Sequence, residues 1–160
     1  MKFKAAIRSL ALIISVITVL TCIVSCGKQE KGEFIPPPFD PGAVVGVPEF
    51  EDPNSVGYTE LDAKGYLVAV CGKVVLNGNS ADIYLTNPEA NEVWFKLRVL
   101  DEKGNILGET GLIRPGEYVK TIVFDKKVPK VGDKITMKVM GYKPDTYYSA
   151  GAVNLNTMVY

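Results

Sequence analysis

The chain has 160 residues, 18 basic and 18 acidic side chains, and no histidine. The absence of histidine excludes Ser-His-Asp and Cys-His catalytic sites and opposes a zinc site. The first 25 residues hold three of the basic residues and no acidic one, so residues 26–160 carry 15 basic against 18 acidic side chains. This slightly negative balance, without any block of like charge, opposes nucleic acid as a partner.

The first 25 residues have the pattern of a secretory signal peptide. Lys2, Lys4 and Arg8 form a positive n-region, Leu10–Val24 is an apolar h-region, and the small residue Ser25 ends the segment. An apolar run of roughly 15 residues is short for a spanning helix, which needs about 20. The pattern predicts a helical signal peptide over residues 1–25, with an uncleaved anchor or a freely secreted form as the alternatives.

The residues around the expected cleavage point are Ile23-Val24-Ser25-Cys26. This run resembles the lipobox of bacterial prolipoproteins. The resemblance implies cleavage between Ser25 and Cys26 and acylation of the Cys26 thiol, with palmitate as a typical acyl chain. Two acyl chains suffice for stable membrane anchoring, whereas one binds marginally. The chain is therefore expected to be an extracytoplasmic protein, lipid-anchored to the cell membrane.

Residues 26–60 are predicted to be a lipidated N-terminus followed by a proline-rich tether. The run from Pro36 to Gly42 contains four prolines, and Pro48 and Pro53 continue the bias. Such composition favours extended, semi-rigid backbone. One alternative is a proline-rich ligand for a partner domain. Another is that part of the segment docks on the domain through its apolar residues, which are Phe34, Ile35, Val44, Val45 and Phe50.

Residues 61–160 are predicted to form one all-β domain. Short β-branched and aromatic runs alternate with turn residues such as Asn77-Gly78-Asn79 and Arg114-Pro115-Gly116. The predicted strands are Tyr66–Leu76, Ala81–Thr86, Val93–Leu100, Ile106–Gly111, Tyr118–Phe124, Lys134–Tyr142 and Ala152–Tyr160. About seven strands at this spacing are typical of an antiparallel sandwich. The span resembles immunoglobulin-like domains of bacterial surface proteins. It lacks the Cys-Trp-Cys framework of true immunoglobulin domains.

Alternation along the strands predicts which side chains face the core, because successive residues of a strand point to opposite faces. The inward sets are Val93, Phe95, Leu97 and Val99; Ile135, Met137 and Val139; Ile83 and Leu85; and Val153 and Leu155. Tyr118–Phe124 is ambiguous, because both of its faces carry apolar residues. Gly72 and Lys73 interrupt the first run, which indicates a bulge or the passage of a strand between sheets.

Two surfaces are predicted to bind a ligand. If the third and sixth predicted strands are neighbours, one outward face combines aromatic and cationic residues that often dominate interfaces, namely Trp94, Lys96, Arg98, Lys138, Met140 and Tyr142. The second surface is the loop after Tyr142, which contains Tyr147 and Tyr148. The alternative is structural: the tether covers Trp94, and Tyr147 or Tyr148 closes the core.

No catalytic residue, metal ligand or cofactor is predicted. Adjacent acids such as Asp101 and Glu102 fall in a turn, where carboxylates are usually solvated, and Cys71 lies in an apolar run typical of a buried thiol. The predicted function is the display of a binding module for an envelope protein or, second, a glycan. Its rivals are a subunit that assembles through an exposed strand edge at Ala152–Tyr160, and a carboxylate-based hydrolase.

Overall fold

The computed structural model describes residues 34–160. The predicted signal peptide, the predicted cleavage point at Ser25 and the predicted lipidation site at Cys26 lie outside these residues. Ten strands follow in chain order: β1 (Ala43–Val45), β2 (Tyr58–Asp62), β3 (Leu67–Cys71), β4 (Leu76–Asn77), β5 (Ser80–Asn87), β6 (Trp94–Asp101), β7 (Ile106–Glu109), β8 (Glu117–Val123), β9 (Lys134–Tyr142) and β10 (Ser149–Met158). Within residues 34–160, no helix has the length and apolarity to cross a membrane.

The strands form two antiparallel sheets that pack as a sandwich. The six-stranded sheet has the order β1-β8-β5-β3-β2, with β4 paired to β5, and the four-stranded sheet has the order β10-β9-β6-β7. This confirms the predicted all-β antiparallel sandwich. The strands outnumber the seven predicted because β1 and β2 come from the predicted tether, and because the break at Gly72 separates β3 from β4.

The core lies between the two sheets and follows the predicted alternation. Phe95, Leu97, Met137 and Val139 are fully buried, and they interleave with outward residues along β6 and β9. Tyr66 joins this core, where its ring lies 5.1 Å from the ring of Phe95 and its hydroxyl donates to the Gly151 carbonyl. A polar tip of this kind needs a partner when its ring is buried.

The ambiguous strand β8 changes its buried parity midway. Val119 is buried, Lys120 and Thr121 are both exposed, and the next buried residues are Ile122 and Phe124. The cause is a bulge in the neighbouring strand β5 between Asp82 and Leu85, where Tyr84 adopts a positive φ of 46°. A bulge inserts an extra residue and shifts the register, so neither of the two alternating patterns holds over the whole strand.

Residues 36–57, here called the wrapping segment, pack on the domain. The backbone N–H of Leu112 donates to the Pro38 carbonyl and that of Asp40 to the Leu112 carbonyl, each at 2.9 Å. The Gly111 N–H donates to the Asp40 carboxylate at 2.7 Å. A Cβ at Gly111 would lie 2.5 Å from the Asp40 nitrogen, so only glycine admits this approach.

The wrapping segment replaces the predicted tether from Pro36 onward. It continues into β1, which pairs with β8, and then crosses to β2, which pairs with β3. One compact unit extends from Pro36 to Tyr160, so the domain begins well before residue 61. Docking on the domain, one of the alternatives to a tether, is what the structure has for this part of the chain. Phe50 packs on the domain as that alternative expects, but the side chains of Val44 and Val45 are 49% and 82% exposed.

The wrapping segment covers the part of the outer face of the six-stranded sheet around Tyr58 and Tyr84, whereas Thr121 on β8 stays exposed. The Phe50 ring lies 4.8 Å from the rings of both Tyr58 and Tyr84. The Tyr58 hydroxyl donates to Thr86 at 2.7 Å, and Tyr58 lies opposite Cys71, which is 1% exposed. Burial, with a smaller effect from the Asp82 carboxylate, raises the pKa of the Cys71 thiol to about 12. The thiol therefore stays protonated at neutral pH, as the structural interpretation of Cys71 requires.

Candidate functional site

The predicted outward residues of β6 and β9 lie side by side on the outer face of the four-stranded sheet. The two strands are neighbours, and their register places Trp94 opposite Tyr142, Lys96 opposite Met140, and Arg98 opposite Lys138. Side chains directly opposite in an antiparallel pair lie about 4.5–5.5 Å apart at Cβ. The six residues thus form one continuous surface on the four-stranded sheet. Where no sheet is named, the outer face means this surface.

A carboxylate that the sequence analysis did not select organises the cations of the outer face. Glu109 on β7 contacts Lys96 Nζ through Oε1 and Arg98 Nε through Oε2, each at 3.0 Å. Burial raises the pKa of Glu109. The hydrogen bonds and positive charges of Lys96 and Arg98 together lower it by more, so the pKa lies below the ordinary value. The signal in the sequence was the hairpin, because a β6–β7 pair places Glu109 opposite Arg98.

This ion-pair cluster changes the character of the predicted surface. Lys96 is 8% exposed and is held by Glu109, so it acts as a buried structural cation and offers little to a ligand. Arg98 shares the same carboxylate but remains partly exposed. Lys138 has no ion pair within residues 34–160, and it is therefore the cation of this face best placed to meet an anionic group on a partner.

One end of the outer face is an aromatic cluster. The Trp94 ring contacts the ring of Phe39 with centroids 4.9 Å apart, and the ring of Tyr147 with centroids 5.4 Å apart, both edge to face. The guanidinium group of Arg114 lies over the Phe39 ring, with its Cζ 3.5 Å from the ring centroid. The alternative that the tether covers Trp94 is therefore confirmed, because Phe39 belongs to the wrapping segment.

The loop tyrosines do not close the core. Tyr147 lies beside Trp94 at the surface, where it adopts a positive φ of 55° and its N–H donates to the Lys143 carbonyl at 2.8 Å. Tyr148 is 72% exposed. The ring that packs in the core is Tyr66 instead. The loop thus brings one tyrosine to the outer face and leaves the other free for contact with a partner.

A groove lies at the other end of the outer face, and the sequence analysis did not find it. It has a volume of about 590 Å³ and is lined by side chains of mixed chemistry, namely Glu102, Lys134, Thr136, Asn156, Met158 and Tyr160. Thr136 donates to the Asn156 side chain at 2.9 Å across the β9–β10 pair. The alternation of β10 already placed Asn154 and Asn156 outward, but only the pairing of β10 with β9 places them beside Thr136.

The carboxylates that could suggest hydrolysis have local structural partners. Asp101 accepts hydrogen bonds from the N–H groups of Lys103 and Asn105 and from the Asn105 side chain. These bonds, with the Asn105 side chain foremost, lower the pKa of Asp101 and fix the β6–β7 turn. Among the described residues, no group of three or more Cys, Asp or Glu side chains is arranged to hold a metal ion.

Two comparisons of the sequence with known proteins gave no match. The chain matches no protein-family model, and a search of curated proteins finds none with significant sequence similarity.

Proposed function

We propose that the protein is a bacterial lipoprotein, anchored through acylated Cys26, whose immunoglobulin-like sandwich presents the outer face to another component of the cell envelope. The observation that carries the proposal is the outer face itself. It combines Arg98, Lys138, Met140 and Tyr142 on two rigid central strands of the four-stranded sheet. Tyr and Arg are enriched among the residues that dominate binding energy at protein interfaces.

A protein of the envelope is the favoured partner, with a glycan second. Met140 and Tyr142 form the centre of the face, while Lys138 and the neighbouring amide of Asn154 on β10 provide polar groups around it. A mainly apolar centre with a polar rim is the usual anatomy of a protein interface. Confinement of the domain to the membrane surface raises its effective concentration near the partner, so that a modest face suffices.

The anchor is tested by the mass of the mature N-terminus. The proposal expects a chain that begins at Cys26 and carries the additional mass of acyl chains, and it expects Cys26→Ala to abolish that mass and release the protein from membranes. A chain that begins at Met1, or one that begins near residue 26 without lipid, would contradict the anchor.

The binding face is tested by photo-cross-linking in cells of the producing bacterium. A photoreactive amino acid is placed at Met140 on the outer face or, as the control, at Thr121, which is exposed on the six-stranded sheet. The proposal expects an adduct from position 140 and none from position 121. Digestion of the adduct by protease or by glycosidase distinguishes the two kinds of partner. Equal adducts from both positions, or none from position 140, would refute the binding face.

A further inference from the structure

The free edge of β10 presents unpaired main-chain groups. In the β9–β10 ladder, the N–H of Val159 points toward the β9 side and donates to Asp133, whereas the N–H of Tyr160 points away and donates to Val74. Main-chain groups alternate in direction along a strand, so the residues of even number direct their N–H and C=O away from β9. Within residues 34–160, the main-chain N–H and C=O groups of Ala152, Asn154 and Asn156 have no main-chain hydrogen-bond partner on that side.

This free stretch has a defined length. At its start, the register shifts between Ser149 and Gly151, and Gly151 has a positive φ of 107°. At its end, Thr157 donates to the Gly72 carbonyl at 2.6 Å, and the N–H of Tyr160 is used by Val74. The open part of the edge is therefore Ala152–Asn156, and its midpoint is Asn154.

The stretch lacks the features that keep edge strands apart. Natural edges are protected by charges, proline, shortness or a cover. β10 has ten residues and contains no charged residue and no proline. The other edges are protected: β2 carries Glu60 and Asp62, β1 has only three residues, and the Leu107 carbonyl of β7 accepts from the Lys126 N–H.

We propose that β10 pairs with β10 of a second copy of this chain, antiparallel and with a two-fold axis through Asn154. In this register Asn154 lies opposite Asn154 of the second copy, and Ala152 lies opposite Asn156 of the second copy. The two four-stranded sheets then join into one continuous sheet. This assembly goes beyond the proposed function, because it uses the strand edge and leaves Met140 and Tyr142 open.

The side chains of the stretch are complementary to themselves in this register. Val153 lies opposite Leu155 of the second copy, and the reverse, on the face toward the core, where both residues are half-buried at present. The asparagine amides meet on the other face, and each can donate to and accept from its equivalent. Because the stretch is uncharged, the two-fold axis brings no like charges together, which is the usual penalty of self-pairing.

Disulfide trapping of the full chain in membranes tests both the pairing and its register. Asn154→Cys is expected to give a reducible dimer on mild oxidation, because Cα atoms of a hydrogen-bonded antiparallel pair lie about 5.5 Å apart, within disulfide range. Asn156→Cys is the matched control and is expected to stay monomeric, whereas Ala152→Cys with Asn156→Cys is expected to cross-link. The unsubstituted chain gives the background from its own cysteines.

A proline variant separates edge pairing from other contacts. Asn154→Pro removes an N–H that faces away from β9, so the fold should tolerate it on this edge strand. Added to the Ala152→Cys, Asn156→Cys pair, it is expected to lower the dimer yield by at least about tenfold, since two hydrogen bonds across the axis are lost. An unchanged yield, cross-linking of Asn156→Cys alone, or no dimer from Asn154→Cys would overturn the proposal. The Met140 adduct is measured in the chain that keeps Asn154, so the test of the binding face and the test of the dimer are read separately.

Discussion

The outer faces of the two sheets differ in what covers them. On the six-stranded sheet the chain supplies its own cover, since Phe50 of the wrapping segment packs between Tyr58 and Tyr84. On the four-stranded sheet, among residues 34–160, Phe39 and Tyr147 meet Trp94 at one end. The central part, with Lys138, Met140 and Tyr142, stays half-exposed.

Similar residues have different roles on the two outer faces. Aromatic and apolar side chains on an outer face stabilise the fold where a segment of the same chain buries them, and remain available for a partner where none does. Cys71 and Thr86 belong to the six-stranded sheet. Both are buried, although they are outside the cluster between the sheets. Substitutions on the two faces should therefore have opposite effects on stability and on binding.

The largest effect is expected from removal of the cover on the six-stranded sheet. Phe50→Ala removes the ring contacts with Tyr58, which lies opposite Cys71, and with Tyr84, so the free energy of unfolding should fall by about 2 kcal/mol. Urea unfolding followed by the fluorescence of Trp94, the one tryptophan of the chain, measures this loss. Modification of Cys71 by a maleimide, located by peptide mass spectrometry, should become faster. Unchanged stability and unchanged labelling would mean that the wrapping segment does not act as a cover.

An intermediate effect is expected from the ion-pair cluster on the four-stranded sheet. Glu109→Gln leaves the buried Lys96 without a carboxylate, so it should lower the free energy of unfolding by about 1–2 kcal/mol. Glu102→Gln is the matched control, because Glu102 and Lys134 are both exposed and 3.9 Å apart, and it should change stability by less than about 0.5 kcal/mol.

The contribution of Glu109 has a definite dependence on pH. Its pKa in the folded protein lies below the ordinary carboxyl value. The stabilisation is therefore complete above the unfolded pKa of about 4.3, and it is lost as pH falls through the folded pKa. The difference between the original chain and Glu109→Gln should shrink below about pH 4 in the same unfolding measurement. A difference that grows in acid would show that Glu109 is not held as a carboxylate.

The smallest effect on stability is expected at the centre of the open face. Met140→Ala should change the free energy of unfolding by less than about 1 kcal/mol, because the side chain is half-exposed. The same substitution should weaken cross-linking to a partner from a photoreactive residue at position 142. A stability loss equal to that of Phe50→Ala would make the two faces equivalent and remove the basis of the comparison.

Strand positions followed from local pattern, because a sandwich strand buries every second side chain. The alternation of Phe95, Leu97 and Val99 against Arg98 predicted the faces of β6 correctly, and β9 followed the same rule. The pattern failed at β8, since the bulge at Tyr84 lies in a different strand and leaves no trace in the residues of β8 itself. Long-range register of this kind is not encoded in any single segment.

The wrapping segment marks the other limit of sequence reasoning. Proline-rich composition predicted extended backbone, and the backbone is extended, but an extended chain serves equally well as a spacer or as an edge strand. Docking is decided by features far away in the chain, such as the space that Gly111 leaves for Asp40 and the ring of Trp94 that receives Phe39.

The sequence by itself determined the all-β class, most strand positions, the outward set on β6 and β9, and the burial of Cys71, because period-two burial and turn chemistry are local properties. Only the tertiary structure decided that Glu109 neutralises Lys96, that Phe39 contacts Trp94, and that no strand of residues 34–160 pairs with β10 between Ala152 and Asn156 on the side away from β9. These features depend on which strands become neighbours, and neighbours are selected by packing across the whole sandwich.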